Sequence, residues 1–279
     1  MKKLFWTVGC LLATLPCGAV VQTSAHPKFE VASIKPSAPD ENYSWYEFPP
    51  GGRFNVVNKT LKGMIEFAWG IQPFQIAGGP SWLDSLHFDV NAKSETIFKP
   101  DQIPQMFQAL LTDRFQLAIH WGTEELPLYA LVIARKDGKL GPGLTESKPG
   151  SCVAVDQTPP RGLDPASVRR CGTMTQNPRA LGAIGIPIAK LIPMLEVTLG
   201  RKVVDKTGLK GDFDIRMEWT PDETQPFQLP PNAPPIRPAD PTGPSLFTAI
   251  QQQLGLKLES SRGPVDVLII DRAEKPTGN

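Results

Sequence analysis

One segment of this chain is written twice, and that constrains the fold more than any single residue does. Residues 52–70, GRFNVVNKTLKGMIEFAWG, lie without a gap over residues 182–200, GAIGIPIAKLIPMLEVTLG, with Gly52 on Gly182, Leu61 on Leu191, Met64 on Met194 and Gly70 on Gly200 at a constant offset of 130. Three more blocks follow in the same order: 79–93 over 205–219, 106–121 over 246–260 with one residue of slip, and PLYALVIAR (127–135) over PVDVLIIDR (264–272). Four blocks in one order predict two pseudo-repeated units.

The periods inside a block define the unit. Leu61, Met64, Ile65 and Ala68, like Leu191, Met194, Leu195 and Thr198, follow helical spacing, and each run ends at a glycine suited to a left-handed cap. Phe107, Leu110 and Leu111, with Phe247, Ile250 and Leu254, mark a second helix. Phe88/Val90/Ala92 and Phe115/Leu117/Ile119 alternate as strands do, and residues 129–134 and 265–270 are apolar runs. Each unit therefore reads as strand, helix, two short strands, second helix and closing hairpin. The predicted class is α+β, with helices packed on antiparallel or mixed sheets. Residues 29–34 (FEVASI) add an N-terminal strand. The first unit spans 26–140, a Pro/Gly-rich connector 141–180, and the second unit 181–279.

Residues 1–25 are set apart from the fold. Lys2 and Lys3, an apolar run over 4–21 and Thr23-Ser24-Ala25 before His26 read as a cleavable secretory signal. Cys10 and Cys17 follow poor lipobox sequences, which makes a lipid anchor the lesser alternative. No other apolar run approaches the ~20 residues of a membrane span. An exported chain permits disulfides, and Cys152 and Cys171, the two cysteines beyond the signal, are expected to pair. Without Lys2 and Lys3 the chain carries 27 basic and 28 acidic residues, so it has no electrostatic footprint for nucleic acid. Thirty prolines, about twice the usual share, cluster in 225–244 and mark an exposed insertion in the second unit.

Candidate chemistry is sparse. Asp205-Lys206-Thr207-Gly208 matches the tetrapeptide phosphorylated in cation-pumping ATPases, but the repeat puts Asp205 in a connection before a strand, among turn-forming residues. His26, His87 and His120 are far apart in sequence and lack metal-ligand spacing; no GxSxG elbow occurs, and no cofactor is implied. Asp214 and Glu218 lie four residues apart along a strand, ~13 Å, too far for a glycosidase pair. Asp89 would approach Asp214 only if the units pack about a pseudo-twofold axis, giving a shared central site. Asn58 or Thr60 reads as the N-cap of the helix that starts at Leu61. Tyr43, Trp45, Tyr46 and Phe48, in a stretch rich in turn residues, divide between core packing and a binding lip for proteins or sugars.

The phrases FEVASIKPS, GGPSWLDSLHFDVNAK, LLTDRFQLAIH, LGRKVVDKTGLKGDFDIRMEWTPD and LFTAIQQQLGLKLESSRGPVDVLIIDRAEKPT resemble the "soil-associated" family of exported bacterial proteins of unknown function. That resemblance implies a periplasmic or secreted location and supplies no catalytic residues. In that family the domain is sometimes joined to membrane metallopeptidases of the antibiotic-sensor type. Each half is also similar in pattern to the short N-terminal domains of secretins and TonB-dependent receptors. The expectation is an exported, non-catalytic module that binds an envelope or secreted protein, or a glycan or peptide, through exposed strand edges. The rivals are a hydrolase acting on an envelope or environmental polymer and a sensor ectodomain working with a membrane metallopeptidase.

Overall fold

The computed structural model describes residues 28–38, 43–154, 157, 168–221 and 243–277. The expected signal at 1–25, nearly all of the Pro-rich insertion at 225–244 and the middle of the connector lie outside the described residues. Within them the protein is mixed α+β, with three four-stranded sheets.

The first sheet takes β1 (Val31–Pro36), β2 (Trp45–Glu47), β3 (Arg53–Thr60) and β5 (His87–Lys93) in the order β1-β5-β3-β2, antiparallel throughout. Alternation turns Phe54, Val56, Phe88, Val90 and Ala92 inward, where α1 (Leu61–Trp69) and α2 (Ile103–Arg114) cover them with Leu61, Met64, Ile65, Phe107 and Leu111. Thr60 is the N-cap of α1, its hydroxyl accepting the Gly63 amide at 3.1 Å, and Gly70 closes the helix at φ 63°. Asn58 is not the cap; it takes a left-handed φ of 52° inside a β-bulge.

The third sheet takes β7 (Leu144–Glu146), β8 (Thr173–Asn177), β9 (Ala180–Ile186) and β11 (Phe213–Glu218) in the order β7-β11-β9-β8. Its inner residues Leu181, Phe213, Ile215 and Met217 pack on α3 (Ile192–Leu199) and on α4 (Leu246–Ala249), which runs on into a π turn over Ile250–Leu254. Gly200 closes α3 at φ 62°. Cys152 and Cys171 form the expected disulfide, with Cα atoms 5.2 Å apart.

Between these layers runs a sheet to which both parts of the chain contribute. β6 (Ala118–Ile133) and β12 (Leu256–Arg272) pair antiparallel from Leu256 opposite Ile133 to Arg272 opposite Ala118. The short strands cross over: β4 (Ile76–Gly78) lies parallel to β12, and β10 (Lys202–Asp205) lies parallel to β6. The closing hairpin expected at the end of each unit is therefore absent. Phe115/Leu117/Ile119 and the 129–134 run are not two arms of a turn, because most of this stretch is one strand whose partner comes from the other end of the chain.

One face of this sheet feeds both main cores. Leu268 and Ile270 join the first, Leu131 and Leu256 the second, and on the other face Leu128, Val265 and Val267 form a small cluster of their own. Two prolines sit in the long strands without breaking them. The Ala134 amide donates to the Gly255 carbonyl at 2.9 Å, so even-numbered residues of β6 face β12 and odd-numbered ones face outward. Pro127 and Pro264 both fall on outward positions, where a missing N–H costs the ladder nothing. Among the described residues no helix is long and apolar enough to cross a membrane.

Candidate functional site

The β2–β3 connection, Phe48-Pro49-Pro50-Gly51-Gly52, is held over the segment that enters α2. Gly52 (φ 71°) comes so close to that segment that an added Cβ would lie 2.8 Å from the Ser94 carbonyl oxygen, and the Ser94 amide donates to the Gly52 carbonyl at 2.8 Å. Only glycine supplies both the left-handed φ and the room. On the opposite side Ser94 and Thr96 tie the segment to itself, and the Lys99 amide donates to the Gln102 side chain at 2.8 Å. Two walls are thereby fixed across a gap.

That gap is an apolar groove of about 550 Å³. Phe48, Pro49 and Pro50 form one wall, Ile97, Phe98, Pro100 and Pro104 the other, and Phe67 of α1 lies at the base. Behind it stands an aromatic stack. Phe54, wholly buried, lies 5.5 Å from Phe48, 5.7 Å from Phe29 and 5.0 Å from Phe107, centroid to centroid. The lip is exposed: Ile97 is 90% accessible and Phe48 53%. Arg53 is the one charged residue lining the groove, and it has no ion-pair partner among the described residues. Such a cleft can bury apolar side chains and pair a carboxylate at its rim.

The four aromatic residues of the 43–48 stretch divide. Tyr46 is a packing residue: its ring stacks 4.1 Å from Phe67, and its hydroxyl donates to the Gly63 carbonyl at 2.9 Å. Burial, with the Glu66 carboxylate adding to it, pushes the phenol far above its ordinary range. Trp45 is partly exposed and donates its indole N–H to Glu47 at 2.8 Å; Tyr43 is exposed, its carbonyl accepting from Asn58. Phe48 alone lines the groove. Ile97 and Phe98 escape sequence reasoning, because SETIFKP has no period and its two apolar residues read as loop.

Asp89 and Asp214 fall in different sheets, and their partners do not overlap. Each sits opposite a β-bulge and accepts the amide of a residue with left-handed φ: Asp89 from Asn58 at 3.0 Å, Asp214 from Gly185 (φ 56°) at 3.0 Å. Ser37 (2.7 Å) and Lys35 (3.5 Å) complete the Asp89 set, and Arg169 (2.5 Å) joins Asp214. Burial alone would raise both carboxyls; these donors outweigh it and hold both below the ordinary value. Both carboxylates brace the bulges they face.

Asp205 ends β10 and accepts both the amide (2.9 Å) and the hydroxyl (2.7 Å) of Thr207, the geometry of a side-chain-closed turn. His120 Nδ1 lies 2.8 Å from Asp271 on an exposed strand surface. No three His, Cys, Asp or Glu side chains among the described residues converge to hold a metal.

The profile of a family described as "protein of unknown function (DUF3738)" matches residues 62–273, which takes in the base and far wall of the groove, both bracing aspartates, the Gly185 bulge and the whole central sheet. The chain belongs to that family. It matches no curated protein and no solved structure. The DUF3738 match begins within α1, so the Phe48-to-Arg53 wall of the groove lies ahead of the matched region.

Proposed function

We propose that this DUF3738 protein is an exported, non-catalytic binding module of the cell envelope or extracellular space, whose groove receives an apolar segment of a protein partner. The observation that carries the reading is the exposed lip of Phe48 and Ile97 over a preformed aromatic floor. Isolated exposed apolar residues are ordinary, but two that converge on one apolar cleft form a contiguous patch that water solvates poorly. A glycan would meet few hydrogen-bonding groups there, whereas an aliphatic or proline-containing stretch with a carboxylate near Arg53 complements the lining. The non-catalytic part rests on Asp89 and Asp214, whose oxygens are engaged by their own bulges. Export is supported by the signal-like N-terminal sequence, the disulfide and the resemblance to the soil-associated proteins.

The same proposal takes the molecule as two copies of one α+β unit. Supporting it are the matching strand orders of the outer sheets, an aspartate-braced bulge in each, glycine caps at 70 and 200, and short strands exchanged between the long ones. A duplicated unit of this kind offers a groove and open strand edges on one rigid frame. The test is in-cell crosslinking of the tagged mature chain, followed by purification from the native envelope or secreted fraction. Wild-type protein is expected to retain a stoichiometric protein partner that Ile97→Asp loses with its melting temperature unchanged. Recovery of free monomer from every fraction would contradict the reading.

A further inference from the structure

The central sheet is covered unevenly along its β10 side. β10 meets β6 only at residues 128–131, so residues 118–127 of β6 have β12 on one side and, among the described residues, no strand on the other. The alternation established by the Ala134-to-Gly255 bond places the amides and carbonyls of Ile119, Trp121 and Thr123 on that open side. None of the three has another backbone partner among the described residues.

Proteins usually guard such an edge with lysine, proline, a bulge or a covering loop. The matching stretch of β12 has Pro264 on its outward side, and the Gln75 side chain caps the Asp266 carbonyl at 3.0 Å. On β6 the guards stand only at one end, where Pro127 lies outward and the Arg262 side chain caps the Glu125 carbonyl at 2.7 Å; the stretch Ala118-Ile-His-Trp-Gly-Thr123 contains no lysine and no proline. Trp121 is 53% exposed on it. Glu124 and Glu125 are exposed, and neither carboxylate has an ion-pair or hydrogen-bond partner among the described residues.

We propose that the open edge of β6 accepts an extended basic segment of another protein as an added strand. The free groups of Ile119, Trp121 and Thr123 supply the main-chain pairing. Glu124 and Glu125 pair with lysine or arginine on the incoming strand, and the Trp121 ring takes an aliphatic or cationic side chain. Charge selects this occupant: two exposed carboxylates without an ion-pair partner among the described residues disfavour an acidic strand and reward a basic one, even with the Arg262 guanidinium held nearby on the Glu125 carbonyl. The surface is separate from the groove, and neither reading depends on the other.

The test uses the full chain and two fluorescein-labelled nine-residue peptides, one of valines with lysine at two adjacent central positions, so that a lysine reaches each face of the sheet, and one with glutamates at those positions, followed by anisotropy. The basic peptide is expected to bind at least tenfold more tightly than the acidic one and to slow amide exchange at Trp121 and Thr123. Thr123→Pro, which removes one outward amide as Pro127 already does on the same edge, should weaken binding tenfold or more, while Thr123→Val should not. Replacing both glutamates, Glu124→Lys with Glu125→Lys, should abolish the preference for the basic peptide. Absence of binding, equal binding of the two peptides, or undiminished binding to Thr123→Pro overturns the proposal. Self-association of the protein that Thr123→Pro abolishes would also overturn it, by showing that a second copy occupies the edge.

Discussion

Removing the Asp89 carboxylate leaves the Asn58 amide, fixed in a left-handed conformation, without its acceptor. Asp89→Ala is therefore expected to cost about 1–3 kcal/mol, the usual penalty for taking the acceptor from a part-buried amide, as read by urea unfolding at neutral pH. Asp89 is held below its ordinary pKa in the folded protein, so its contribution is complete above the unfolded value and is lost as pH falls through the folded one. The stability gap between wild type and Asp89→Asn should thus be constant from about pH 6 upward and shrink below about pH 4. A gap that widened on acidification would contradict the assignment. From sequence the two aspartates were visible as matching members of FDV and FDI. Their task was not, because it depends on which residue across the sheet bulges, and register is a tertiary property.

Among the elements, the helices and their caps were the most legible: a 3.6-residue apolar period ending at glycine has few alternatives, and Gly70 and Gly200 adopt the left-handed geometry it implies. The long strands were less so. Gly122 and Pro127 look like turn residues between two short strands, yet they sit inside β6 because β12 supplies a continuous ladder and Pro127 presents its missing N–H outward. The connector contains the Cys152–Cys171 disulfide, which packs on the Gly185 bulge: a Cβ there would meet Cys152 Sγ at 3.2 Å and the Cys171 Cβ at 3.4 Å. Closing a loop with a sequence separation of 19 constrains the unfolded chain by about 3 kcal/mol. Replacing both cysteines with serine is expected to lower the unfolding free energy by about that amount and to leave the first-sheet core intact. Equal stability of the two proteins under oxidising conditions would contradict this.

For the whole molecule, the one central sheet is crossed: β4, from the first part of the chain, lies beside β12, and β10, from the second part, lies beside β6. Residues 28–140 expressed alone would expose the side of β6 that β12 covers, together with the apolar residues that Leu268 and Ile270 bury. That fragment is expected to be unfolded or to dimerise, and to form a monomeric complex when mixed with residues 141–279, as read by circular dichroism and sedimentation. A stable monomeric fragment would contradict the crossed arrangement. The groove was only partly legible at this scale, because Phe48 and Ile97 meet through a tight glycine turn that joins segments more than forty residues apart. The most direct test of the binding reading is a photo-crosslinking residue placed at Ile97 of the protein expressed in its native cells, compared with one at the exposed loop position Lys210, followed by mass spectrometry of the adducts. The account predicts one dominant protein adduct from position 97 and none from position 210; equal, diffuse labelling from both would contradict it.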